Sequence, residues 1–304
     1  MIPHLQDRVG ALSAFGWTGR DAEWLALVCL HSGAFLRRQY LAFVGQPHRE
    51  LARRFVERCG KAAVEEPWNG TGLRLCRIAS RPLYLALGAE HVRHRREATP
   101  EVTLRRLLSL DCVLDHLDLP WLPTEREKVE ALTGAGVPQH VLPGRLYQGA
   151  SKATRRHFVH KLPLALDVER ATFVFAQAED ETPSGLSTWG GQHAALWAAL
   201  GAAGRAVEVV VAGRDPVRLD AAERVLEGWT RAPRAVGDAP ESAAEIASIR
   251  KAVAALDLDA LEAWGGLNDA IARCAALEEA SARSRPPGPA ITAGRTWRSR
   301  RVPE

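Results

Sequence analysis

Between Trp24 and Leu30 the apolar positions Trp24, Leu25, Leu27, Val28 and Leu30 follow helical spacing, which predicts a helix with a buried face. Thr18-Gly19-Arg20-Asp21 precedes it, with Asp21 suited to a cap or first-turn position, and Ser32-Gly33 stops it where glycine tolerates positive φ. A shorter helix is predicted over Leu36–Val44, with Leu36, Tyr40, Leu41 and Val44 inward, and Gly45-Gln46-Pro47 turns the chain. A third helix from about His48 to Cys59 gathers Leu51, Ala52, Phe55, Val56 and Cys59 on one face. Glu50, Arg53, Arg54 and Glu57 lie on the other. After Gly60, strands Ala62–Glu66 and Leu73–Ile78 flank Asn69-Gly70-Thr71-Gly72, a hairpin signal because Asn and Gly accept positive φ.

The middle of the chain is helical. Pro82–Leu87 fits a short helix. Thr99-Pro100-Glu101 combines a cap, a first-position proline and a first-turn acid, starting a helix that runs to about Leu117. Thr124-Glu125-Arg126-Glu127 reads as a capping box for a helix to Leu132, so this stretch is either a hinge or a brace. Farther on the period alternates. Phe158–Leu166, Thr172–Gln177 and Val207–Ala212 read as strands, while Trp189–Ala203 and Leu219–Trp229 read as helices. Strand-helix-strand with short connections implies a crossover unit in a small α/β sheet. Two Ala-rich helices, Ser242–Leu256 and Leu258–Glu279, would pack on that sheet or form a dimerising hairpin. From Ser281 the proline- and arginine-rich end is expected to be disordered.

The 304 residues suit about two domains at roughly 150 residues each, and 46% hydrophobic content is enough for ordinary cores. A net charge of +4 permits nucleic-acid binding without demanding it, so the distribution of charge decides. The amino terminus lacks the blocks of a signal peptide, and no apolar run reaches the ~18 residues of a membrane span. A cytoplasmic protein with no membrane partner is therefore expected. Five widely spaced cysteines without a CxxC pair indicate buried thiols, with no disulfide framework or zinc site.

Helix, helix, helix and hairpin is the order of a winged helix-turn-helix. Its third helix enters the major groove and its hairpin touches phosphate or the minor groove. Arg53 and Arg54 are then the base-edge candidates; Arg49, Lys61, Arg74 and Arg77 are the phosphate candidates. The bland alternative is a solvated mixed-charge face or a protein-docking winged helix, because Glu50 and Glu57 sit beside the arginines. His91–Arg96 and Arg105-Arg106 would follow a DNA backbone or simply solvate a linker.

Chemistry is harder to find. There is no GxxxxGK[ST] loop, and Gly185 with Gly190-Gly191 misses the GxGxxG spacing. Asp167, Glu169, Glu179, Asp180 and Glu181 stand at predicted strand ends, where paired carboxylates can hold Mg²⁺, yet Gln177-Ala178-Glu179 supplies no lysine two residues after an acid. His157, His160 and His193 have no Ser/His/Asp or GxSxG company and read as structural. No catalytic residue, metal ligand or cofactor is assigned.

Trp24–Ser32, Phe35–Gly45, Glu50–Cys59 and the Gly60–Ile78 wing, followed by an α/β half, resemble the replication-relaxation proteins of bacterial plasmids and conjugative elements. The resemblance implies a winged helix joined to a restriction-endonuclease-like domain, and a role in mobile-element DNA metabolism. Thr172–Gln177 with Glu179-Asp180-Glu181-Thr182 looks like that family's strand and acidic turn, but the downstream lysine is absent.

The expected architecture is mixed: a mainly α winged-helix domain at 1–88, a helical linker at 89–140, an α/β domain at 141–282 (a degenerate restriction-endonuclease-like unit with extra helices), and a disordered basic tail at 283–304. The expected activity is binding of double-stranded DNA, as a transcriptional regulator or replication/transfer accessory factor of a mobile element, with homodimerisation open. Its rivals are an Mg²⁺-dependent nuclease using Asp167 and Glu179, and a protein–protein adaptor.

Overall fold

A computed structural model of the chain describes residues 2, 5–68, 71–148, 153–158, 162–179, 181–231, 239–283 and 289–303. The first part runs α1 (Gln6–Val9), α2 (Gly19–His31), β1 (Ala34–Leu36), α3 (Arg37–Val44), α4 (Arg49–Cys59), β2 (Ala63–Trp68) and β3 (Leu73–Ile78). The hairpin strands pair antiparallel, and β1 adds antiparallel to β3, giving the order β1-β3-β2. Asn69-Gly70 lies outside the described residues. Aromatic side chains hold the three helices together: Trp24 meets Phe35 edge-on at 5.3 Å, and Tyr40 stacks on Phe55 at 4.6 Å. Gly33, at φ +77°, is required because a side chain there would strike the backbone of His94.

Next come α5 (Arg81–Ala86), α6 (Pro100–Leu114) and α7 (Glu125–Gly134). Thr99 caps α6, accepting from Val102 N at 3.4 Å. Thr124 and Glu127 complete a reciprocal box on α7, Thr124 Oγ1 accepting from Glu127 N and Glu127 Oε2 from Thr124 N. Glycines and caps thus end and start helices where the sequence expects.

An antiparallel ribbon of β4 (Gly144–Gln148) and β5 (Ala153–His157) follows. Then β6 (Leu164–Leu166), β7 (Arg170–Ala176), α8 (Pro183–Ala202), β8 (Ala206–Gly213), α9 (Pro216–Arg231), α10 (Ala239–Ala255), α11 (Leu258–Glu262), α12 (Leu267–Arg283) and β9 (Ala293–Arg298) complete the order. The second sheet is ordered β6-β7-β8-β9, with β6 antiparallel to β7 and the β7–β8 and β8–β9 pairs parallel. Odd positions Phe173, Phe175, Val207, Val209 and Val211 join Trp189, Trp197, Leu219 and Trp229 of α8 and α9 in one core. Even positions Val174, Val210 and Ala212 join Leu110, Cys112 and Val113 of α6 in another. Gly190 lets α8 approach α9, since a side chain there would collide with the Trp229 ring. It serves packing, with no nucleotide role needed to explain it.

Helix α6 binds the two sheets together. Its Leu104, Leu107 and Leu108 bury Ala34, Leu36, Trp68 and Leu75 of the first sheet together with Ala176 at the end of β7 and Ala178 just beyond it. The segment expected as a linker is therefore among the most buried parts of the chain, and the core crosses residue 88 without a break.

Three expectations need correction. The expected disordered tail contains β9, whose Arg295 and Thr296 pair with Val210 and Val211 in parallel register. The backbone partners supplied by β8 fix a segment whose composition alone reads as unfolded. The strand expected over Phe158–Leu166 is reduced to Leu164–Leu166, and the helix expected over Leu258–Glu279 breaks at Gly265-Gly266, both at positive φ. Helices α10–α12 enclose a small core of their own around Ile249, Ala252, Leu261 and Ala270. Among the described residues, no helix is long and apolar enough to cross a membrane.

Candidate nucleic-acid interface

Helix α4 has two unlike faces. Ala52, Phe55 and Cys59 are buried; Phe55 touches Trp17 at 5.4 Å and Phe35 at 5.9 Å. Arg58 lies 4.3 Å over the Trp17 ring and donates to Asp21 at 2.9 Å, pinning the end of α4 to α2. On the outer face, Arg53 is 49% exposed and Arg54 is 71% exposed, with Arg49 exposed one turn earlier. Three of the expected contacts thus share one uncovered helix surface.

That surface is partly neutralised from within. Arg53 donates to Glu50 and to Glu57, and Arg54 donates to Glu50 at 3.1 Å. The Arg53 hydrogen bonds, followed by those of Arg54, hold the Glu50 carboxyl down at about 2, so it remains charged throughout the neutral range. Exposed pairs of this kind contribute little and are screened by salt, so a phosphate can take over the arginine.

The remaining expected contacts divide. Lys61, in the turn after α4, and Arg74, on β3, are exposed. Arg74 stands 3.6 Å from Glu65, which already accepts two hydrogen bonds from Arg37 at 2.7 and 2.8 Å. Arg77 departs from expectation: it is only 14% exposed, and it donates to Glu97 at 3.1 Å and to the Arg95 carbonyl at 3.4 Å. Arg74 and Arg77 are three apart on a strand, so they point to opposite faces and cannot both line one phosphate path. That period-two signal is present in the sequence.

Other basic residues are absorbed internally. Arg105 pairs with Glu181 at 3.0 Å, and Arg106 donates to the carbonyls of His94 and Arg96 at 3.2 Å. Sequence reasoning misses the β4–β5 ribbon, where Arg145 and Arg155 are exposed. The only early signal for it is Pro143-Gly144 followed by short segments rich in arginine.

The acidic candidates are not brought together. Asp167 precedes β7 and accepts from the backbone N–H groups of Glu169 and Arg170 at 2.8 and 2.7 Å, tying the β6–β7 turn. Glu179 follows β7 and pairs with Arg214. At about 3.3 Å per residue, the strand separates them by roughly 20 Å or more, too far to share one ion. Asp180 lies outside the described residues, and among those described no three His, Cys, Asp or Glu side chains group as a metal site. His157 is buried, and its backbone N–H donates to Glu125 at 2.7 Å. His193 is buried among Phe173, Trp189 and Trp197, its Nδ1 2.8 Å from the Trp189 carbonyl. His160 lies outside the described residues. No known protein family, characterised protein or solved structure matches this chain.

Proposed function

We propose that the chain binds duplex DNA, with residues 19–78 acting as a winged helix and α4 as the helix in the major groove. The observation that carries this reading is the outer face of α4, where Arg49, Arg53 and Arg54 stand exposed while the opposite face is locked by Phe55. The helix-strand-helix-helix-hairpin order with its β1-β3-β2 sheet supports it. Lys61 and Arg74 flank the helix as phosphate contacts, and Arg53 and Arg54 read base edges once Glu50 and Glu57 release them. The resemblance to replication-relaxation proteins would make the chain a transcriptional regulator, or a replication or transfer accessory factor, of a mobile element. The α/β half is read as a scaffold, because Asp167 and Glu179 occupy opposite ends of β7.

Fluorescence anisotropy with labelled duplexes over a series of NaCl concentrations tests the proposal. Phosphate contacts by Arg49, Lys61 and Arg74 contribute about −2.7 to the log–log salt slope, at about 0.9 each. R53A/R54A is expected to weaken binding to a selected duplex by about tenfold or more, with a smaller effect on random duplexes. Equal losses for every duplex would remove the base-reading role. The carboxylate network around Arg53 favours one other reading, a protein adaptor. Absence of binding to any duplex at low salt, with salt-insensitive capture of a protein partner, would establish the adaptor and overturn DNA binding.

A further inference from the structure

The β4–β5 ribbon is built unlike the rest of the molecule. All five residues of β4 are exposed, so neither face of that strand is buried, and an isolated two-stranded hairpin has little stability of its own. Its base, in contrast, is fixed. Phe158 N donates to the Pro143 carbonyl at 2.9 Å, and Glu125 of α7 accepts from His157 N and from Arg156 at 2.7 and 3.0 Å. The chain leaves through buried Phe158 at φ +49°, a left-handed conformation that a non-glycine residue adopts only when its surroundings impose it. A fixed base carrying an exposed ribbon is an arm.

The charge on this arm is one-sided. Gly144–Gln148 and Ala153–His157 hold three arginines and no acid. The register sets Arg145 directly opposite Arg156, and Leu146 opposite Arg155. Like charges across a strand pair are unfavourable, and Glu125 answers only Arg156. Arg145 and Arg155 have no carboxylate partner among the described residues, and they point to opposite faces. Arg145 shares its face with Tyr147, 5.9 Å from its ring, while Arg155 shares the other with exposed Leu146.

Resting on the DNA-binding reading above, we propose that the β4–β5 ribbon is a second contact for duplex DNA, with Arg145 and Arg155 meeting phosphates on the two walls of a groove. Cations on both faces decide the occupant. A flat acidic protein surface satisfies one face of a ribbon, whereas a groove wide enough for a two-stranded ribbon presents anions to both.

The test uses the full chain, a random-sequence duplex and the selected duplex, with R145A/R155A and the charge-preserving R145K/R155K. R145A/R155A should flatten the log–log salt slope by about 1.8, two contacts at about 0.9 each, and weaken binding at low salt by about tenfold or more. The ratio of affinities for selected and random duplex should stay unchanged, R145K/R155K should retain the wild-type slope, and the thermal midpoint should not move. A wild-type slope in R145A/R155A overturns the ribbon proposal while leaving the α4 reading intact. A lost slope accompanied by a lowered thermal midpoint also overturns it, as a structural effect. A wild-type chain that binds no duplex removes both readings together.

Discussion

At Asp111 the chain buries a carboxylate completely in the last turn of α6. It is answered by Ser299 Oγ at 2.6 Å, Arg301 Nη1 at 3.0 Å and Gln39 Nε2 at 3.2 Å, so one residue joins α3, α6 and the segment after β9. Removing one member of a buried charged set costs about 3–5 kcal/mol, because the partners remain desolvated. Asp111→Ala should lose about that much by urea denaturation, and a loss below about 1 kcal/mol would show the network to be dispensable. Nothing in the sequence marks Asp111: it interrupts an apolar helix, and its cation and hydroxyl partners lie 190 and 188 residues away. The thiols were legible, since isolated cysteines in apolar company read as buried. Burial raises Cys29 and Cys76 and pushes Cys59 and Cys112 up to about 12, which keeps all four protonated at neutral pH. Cys274 alone is partly exposed, so a disulfide reagent should titrate one thiol in the native protein and five after unfolding. Rapid native reaction of a second thiol would contradict the packing around α2 and β3.

Among the elements, those whose signal is local were readable: α2 to α4, the capped starts of α6 and α7, and the continuous apolar run of β8. β1, with three residues, is too short to show a period, and β9, Ala-Gly-Arg-Thr-Trp-Arg, offers almost no apolar alternation. Its place is set by partners far away in the chain. Glu208 of β8 accepts from Arg295 of β9 at 2.8 Å and from Thr172 of β7 at 3.2 Å, with Arg170 at 3.4 Å. Burial pushes the Glu208 carboxyl up, but the Arg295 hydrogen bond and charge outweigh it and hold the group below its ordinary 4.5. A depressed folded pKa means that this contribution is complete above pH 4.5 and fades as pH falls through the folded value. Glu208→Gln should therefore be destabilised by about 1–2 kcal/mol at pH 7, discounted for the part-exposed Arg295, with the gap to wild type closing in acid. A gap that is constant with pH would mean that shape, not charge, joins β9 to β8.

For the molecule as a whole, the question is whether the amino-terminal module, α2 to β3, is separable. The order of elements suggests a boundary near residue 88, but the sheet face carrying Leu36, Trp68 and Leu75 is closed chiefly by Leu104, Leu107 and Leu108 of α6. At about 1.5–3 kcal/mol for each large side chain, exposing those three forfeits about 5–9 kcal/mol, comparable to the entire net stability of a typical domain, about 5–15 kcal/mol. A fragment ending at residue 88 should accordingly lose its fixed near-ultraviolet signal and expose apolar surface, while the intact chain keeps α6 packed on the first sheet and on the second. Extending the fragment through α6 returns Leu104, Leu107 and Leu108 but leaves uncovered the α6 face formed by Leu110 and Val113, so it should recover helical content without cooperative unfolding. Cooperative thermal unfolding of the 1–88 fragment, with native-like tertiary signal, would show that the module folds by itself and that α6 merely rests against it. Should the fragment behave as expected, the module that carries the exposed arginines of α4 depends on α6 for its closure.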